Sequence, residues 1–163
     1  MVSRSFTIGG VLLGMGFGGF VDGIVLHQIL QWHHLVCITD HCQPVSIEHL
    51  KRQNRQDGFF HLGVLILSII GSFQVFRATN QSGRPIGARA FWGAVLCGWG
   101  VFNFAEGLIN HQILQIHHVL PDSPNELLAD LAFLASGILL FLLGGWMLRS
   151  ESSDKPTPRS VVS

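Results

Sequence analysis

Four apolar runs, each closed by polar or Pro/Gly-bearing positions, divide the 163-residue chain. They extend over Ile8 to Gln31, Gly58 to Phe76, Phe91 to Gln115 and Leu127 to Leu148. A hydrocarbon core is crossed by about 20 residues of helix. A backbone in lipid must also satisfy its own hydrogen bonds, which a helix does within one segment. The pattern predicts an all-α membrane protein, a four-transmembrane-helix bundle in one domain covering residues 1–149. Residues 150–163, SESSDKPTPRSVVS, are polar and Ser/Pro-rich and read as a disordered tail. The first run follows Arg4 but is about twice as long as the apolar region of a signal peptide and lacks an A-x-A cleavage pattern, so it reads as a helix and not a leader. Gly10, Gly14 and Gly18 recur at every fourth position of it, with Gly19 and Gly23 on a neighbouring line, which suits close approach of two helix backbones.

The chain also repeats itself. DGIVLHQILQWHH, residues 22–34, returns as EGLINHQILQIHH, residues 106–118, and at this offset of 84 eight of thirteen positions are identical. Asp22 pairs with Glu106, His27 with His111, and His33 and His34 with His117 and His118; upstream, Gly14 and Gly16 fall opposite Gly98 and Gly100. Each half, about 9–76 and 91–148, is then one helical hairpin. Two crossings per half give both halves the same orientation, a parallel repeat about an axis along the membrane normal.

Composition fixes the solvent. Hydrophobic residues make up 48% of the chain, charged residues only 12%, and the mean hydropathy is +0.41, whereas soluble domains carry about 25% charged residues. The charges that remain orient the bundle. Arg4, Arg77, Arg84, Arg89, Arg149, Lys155 and Arg159 lie on one face, against Lys51, Arg52 and Arg55 on the other. The excess marks the cytoplasmic side, so both termini are expected inside an inner, cytoplasmic membrane, with the 22–34 and 106–118 segments ending at the exterior.

Ionisable residues inside a membrane are costly and mark functional sites. Topology draws the ends of the first and third helices and the starts of the second and fourth, with Asp57 and His61 in DGFFH and Asp130 in DLAFL, to that one side. A helical bundle with inward carboxylates and histidines is an architecture for metal sites. The expected ligands are His27, His34, His61, His111 and His118, with Asp57 and Asp130 as ligands or as the groups that orient them. On uninterrupted helices His27 and His34 share a face but lie about 10 Å apart in rise, and Asp22 and Glu106 lie about 18 Å from the paired histidines. Asp22, Glu106, His33 and His117 are therefore read as supporting groups or a proton path. Asp57 and His61, four residues apart, are expected to reach a common ion. Imidazole with carboxylate suits Fe, Zn, Mn or Cu, with no single ion distinguished.

Together with DGFFH and ADLAFLASG, the paired motifs GFVDGIVLHQILQWHH and NFAEGLINHQILQIHHV resemble the domain of unknown function 2243 family, predicted bacterial integral membrane proteins. The resemblance covers roughly residues 9–147 and implies a fold family without a reaction. Members often carry an acid just before the second-half histidine, where this chain has Asn110.

Cys37 and Cys42 bracket CITDHC in the external loop and read as a disulfide in an oxidising compartment, with a Cys37, His41, Cys42 metal clasp as the alternative. Cys97 reads as a small core residue. Two other functions compete with a metal centre. One is a b-type haem electron carrier, since histidines on facing helices serve as axial ligands. The other is a membrane scaffold or assembly factor in which polar groups only fix helix pairing. The partners implied are the lipid bilayer and a second copy or another membrane protein. There is no Gly-rich phosphate loop, no G-x-S-x-G and no basic patch for nucleic acid.

Overall fold

The structure, a computed structural model, describes residues 2–37, 42–83 and 85–153, with side chains as far as Arg149. Its long helices are α1 (Arg4–Val21), α2 (Ile47–Ser82), α3 (Ala88–Glu106) and α4 (Glu126–Ser153), and α1 and α3 each run on into a π-helical segment, Asp22–Ile29 and Gly107–Ile113. All four are long and apolar enough to cross a membrane. The sequence boundaries need three corrections. α2 begins at Ile47 and not near Gly58, because the polar stretch before Asp57 is a helical extension capped by the Ser46 side chain on the His49 N–H. α4 continues through Ser153, so residues 150–153 belong to the helix, and the remainder of the expected tail, 154–163, lies outside the described residues. The first and third helices are not uninterrupted α-helix to Gln31 and Gln115.

The helices pack in the order α2, α1, α3, α4. α1 and α3 form the centre, and α2 and α4 flank them with their large apolar side chains outward, Phe59, Phe73 and Phe76 on α2 and Leu128, Leu139 and Leu142 on α4 among them. Exposure of that kind is what a lipid solvent requires. Glycine sets the central distance. A methyl group on Gly14 would strike the Val95 carbonyl, and one on Gly98 would strike the Val11 carbonyl. These two contacts exchange under the offset of 84, so the two halves meet about a pseudo-twofold axis.

The flanking helices obey a second offset. Gly16 packs on Val64 and Ser68 of α2, while Gly100 packs on Gly137 and Phe141 of α4, a displacement of 73 along the chain. The same shift pairs Asp57 with Asp130 and Phe60 with Phe133. It differs from 84 because the connection between α1 and α2 is longer than that between α3 and α4.

Candidate metal centre

The site begins where the helices stop being α-helical. Leu30 N–H donates to Val25 O at 2.8 Å and Leu114 N–H to Ile109 O at 2.8 Å, bonds spanning five residues instead of four. Widened turns of this kind recur at functional sites. Here the widening brings positions five apart onto one face, which a 3.6-residue turn would not. His27 Nε2 consequently lies 3.2 Å from Asp22 Oδ2, and His111 Nε2 lies 3.1 Å from Glu106 Oε1.

The chain then reverses. Gln31 and Gln115 have φ of 52° and 50°, a left-handed conformation that costs a residue with a Cβ roughly 1–2 kcal/mol. Trp32 N–H reaches back to Leu26 O at 3.0 Å and Ile116 N–H to Asn110 O at 2.9 Å. The reversal folds His33 and His117 back beside the acids of their own helices. His117 Nε2 is 2.8 Å from Glu106 Oε1, and His33 Nε2 is 3.8 Å from Asp22 Oδ1. The rises of about 10 and 18 Å expected for straight helices do not occur, for this reason.

Asp57 and Asp130 hold the outer wall of each half in the same way. Asp57 receives His34 Nδ1 at 2.7 Å and the Leu35 N–H at 2.9 Å, and its Oδ1 faces His27 Nδ1 at 3.2 Å. Asp130 receives His118 Nδ1 at 2.6 Å and the Val119 N–H at 2.9 Å, and its Oδ1 faces His111 Nδ1 at 3.5 Å. His27 and His34 thus do share a partner, as do His111 and His118.

The two halves interlock at the axis. His33 Nδ1 donates to Val119 O at 2.9 Å and His117 Nδ1 to Leu35 O at 3.0 Å. Their rings stack with centroids 4.7 Å apart and planes 10° from parallel. His27 and His111 close the cluster at 4.7 Å from His33 and 4.9 Å from His117. All six of Asp22, His27, His33, Glu106, His111 and His117 are buried.

A family model described as a predicted membrane protein, DUF2243, matches residues 9–151. The chain belongs to the DUF2243 family. No curated protein and no solved structure matches it.

Does a metal fit this DUF2243 site? A carbonyl only accepts, so Nδ1 of His33 and of His117 carries the proton. Each Nε2 then faces a carboxylate, another acceptor, so only a proton or a metal cation can lie between them, and His117 Nε2 stands at hydrogen-bond distance, 2.8 Å, from Glu106 Oε1. Asp22 Oδ1, both ring nitrogens of His27 and of His111, His33 Nε2 and Glu106 Oε2 are buried without a hydrogen-bond partner. Orphaned buried polar atoms of this kind point to an ion. Two donors on one ion at about 2.1 Å stand about 3.0–3.4 Å apart, close to the 3.1 and 3.2 Å observed between histidine and acid. Donor atoms of Asp22, His27 and His33, and of His33, His111 and His117, lie within 4.8 Å of one another. Burial pushes the His33 imidazole below its ordinary pKa, with His117 and His27 adding to the effect and Asp22 opposing it. The ring therefore stays neutral and able to ligate.

The geometry redistributes the roles read from the sequence. His27 and His111 stand in the cluster. His33, His117, Asp22 and Glu106, expected to be supporting groups, supply most of its other donor atoms. His34 and His118 sit on the outer side of Asp57 and Asp130, which thereby orient rings. His61 does not share an ion site with Asp57. Its Nε2 points at Gly23 and its ring stacks beside Phe20, because Asp57 faces the chain reversal one turn away. The Asn110 side chain donates to Glu106 Oε1 at 3.5 Å. Cys37 and Cys42 form a disulfide, and His41 of the alternative clasp lies outside the described residues. Cys97 is a buried core thiol directed at Phe141 O, 3.6 Å away.

Proposed function

We propose that this protein is an integral membrane metalloprotein with a paired transition-metal centre on the pseudo-twofold axis. Asp22, His27 and His33 hold one ion and Glu106, His111 and His117 the other, while Asp57 and Asp130 fix the orientation of His27 and His111 from behind, as carboxylates do for ligating histidines. The observation that carries the reading is the set of buried Nε2 atoms of His27, His33 and His111 that face carboxylates without a hydrogen bond. Imidazole and carboxylate without thiolate favour Fe, Mn, Zn or Cu(II) over Cu(I), and such a centre suits redox or metal-handling chemistry at the membrane. The excess of Lys and Arg beside the termini supports a cytoplasmic location for both ends in a bacterial inner membrane. A disulfide in the opposite loop supports an oxidising exterior there.

The haem alternative is disfavoured by the 4.7 Å stack of His33 on His117, which leaves no slot for a macrocycle between the rings. The test is metal analysis of detergent-purified protein, wild type beside His27→Ala and His111→Ala. Two ions per chain in the wild type, and loss of one in each variant, is the expected result, since each variant removes a donor from one cluster. Unchanged metal content in both variants overturns the reading, and a Soret band would move it to haem.

A further inference from the structure

The two halves match closely around the buried cluster but not at its outer edge. Under the offset of 73, Glu126 of the second half stands where the first half has Gln53. Gln53 is buried, and its amide donates to Cys42 O at 2.8 Å. The His34 side chain of that half is 8% exposed. Glu126 instead turns outward, 37% exposed, with Oε1 3.2 Å from Nε2 of a His118 side chain that is 29% exposed. A pocket of about 190 Å³ opens beside this pair, with Asp122 and Glu126 among its lining, the Cys37–Cys42 disulfide on another side, and the buried ligand His117 also on its wall.

We propose that this pocket is the port through which a hydrated divalent transition-metal ion enters and leaves the centre, and that the first half is closed. The inference rests on the metal reading of the buried cluster. The pocket has room for an ion together with some of its waters. Two carboxylates beside the opening raise the local concentration of cations, while the equivalent residue of the closed half is a neutral amide engaged in a hydrogen bond. The route has donors along its length. Glu126 Oε1 and His118 Nε2 receive the ion at the surface. The pocket then leads to His117, whose Nε2 already touches Glu106 in the cluster. Behind His118 stand Asp130 and His111, the latter buried with neither ring nitrogen hydrogen-bonded. An ion that sheds water at the pocket therefore meets replacement donors on its way inward.

The experiment follows Co²⁺ uptake by metal-stripped full-length protein in detergent, using cobalt absorbance in a stopped-flow instrument, with total bound cobalt measured afterwards. Glu126→Gln and Asp122→Asn should each slow loading roughly tenfold while the cobalt finally bound still equals that of the wild type. Glu126→Asp should recover most of the rate, and Gln53→Glu should leave it unchanged. Wild-type loading rates in both Glu126→Gln and Asp122→Asn, with full cobalt, overturn the port and leave the centre standing. A lower cobalt content in Glu126→Gln at an unchanged rate makes Glu126 a permanent ligand, which also overturns it. Absence of bound cobalt in the wild type overturns the centre and the port together.

Discussion

His33 and His117 stack face to face across the pseudo-twofold axis, and each ring anchors its Nδ1 on a backbone carbonyl of the opposite half, Val119 and Leu35 respectively. The same two side chains therefore join the repeats and present donors to the cluster. His33→Ala and His117→Ala should each lower stability by about 1–3 kcal/mol, the cost of a buried carbonyl left without its donor. Each should also reduce metal content, which a purely structural role would leave intact. Denaturant titration and metal analysis of the two variants provide the check. Stability loss with full metal content would reduce both residues to helix-pairing groups.

Asp57 and Asp130 stand outside the clusters yet each holds an outer histidine, a backbone N–H and the Nδ1 edge of an inner histidine, and Asp130 also accepts from the Gln112 amide at 3.5 Å. Asp57→Asn and Asp130→Asn keep the shape and one acceptor but replace the second oxygen with a donor. Carboxylates behind ligating histidines are worth 10–100-fold in metal affinity, so a loss of about that size is expected in each variant by chelator competition. An affinity within about twofold of wild type in both would show that these acids only cap the chain reversal.

The four crossings, the duplicated hairpin and nearly all of the chemistry-bearing residues are legible in the sequence, because apolar length and an identical HQILQ core do not depend on tertiary detail. The roles of those residues are not. His33 and His117 look peripheral on a helix of 3.6 residues per turn, since neither faces the same way as the histidine before it. The π-helical turns and the left-handed Gln31 and Gln115 bring them inward. Glutamine carries no side-chain preference for positive φ that would have announced a reversal. A signal did exist in the repeat: Asp22 and His27, like Glu106 and His111, are five apart, the spacing that a π turn aligns. The correspondence of Asp57 with Asp130 was hidden by the unequal connections, although Asp57, Phe60 and Gly71 recur as Asp130, Phe133 and Gly144 at a constant shift.

Acid should release the metal and weaken the fold together. Burial holds the His33 pKa in the folded protein below its ordinary value near 6.5, so the unfolded chain binds that proton more readily. Its contribution to stability is then fully present above about pH 6.5 and declines as pH falls through that value toward the lower folded pKa. Protons also compete with metal for every imidazole in the cluster. Thermal unfolding and bound metal measured from pH 8 down to pH 5 should fall in parallel. Metal content that stays constant to pH 5 would remove the neutral imidazoles from the ligand set.

The disulfide offers a test of orientation. Cys37 and Cys42 should react with a membrane-impermeant maleimide on intact cells only after treatment with an impermeant reductant, while buried Cys97 stays unlabelled throughout. Labelling that requires permeabilised cells would place this loop in the cytoplasm and invert the topology. Closing so short a loop contributes about 2 kcal/mol by the chain-entropy relation, so Cys37→Ser should lower stability by about that amount with the spans retained.

The glycines decide whether the two halves can meet at all. At Gly14 and Gly98 the first atom of any side chain would fall on a backbone carbonyl of the opposing central helix, which has no alternative rotamer to adopt. Relief would require α1 and α3 to separate, and because His33 and His117 bridge those same halves, separation would also spread the cluster. Gly14→Ala and Gly98→Ala should therefore cost about 1–3 kcal/mol by overpacking and lower metal affinity from a position more than two helical turns of chain away from the nearest acid. Gly63→Ala and Gly145→Ala meet open space and should be neutral or slightly stabilising, as alanine is in a helix. Chelator competition alongside detergent unfolding distinguishes the two classes. If Gly14→Ala and Gly98→Ala bind metal as tightly as wild type, the centre does not depend on the close approach of the two repeats.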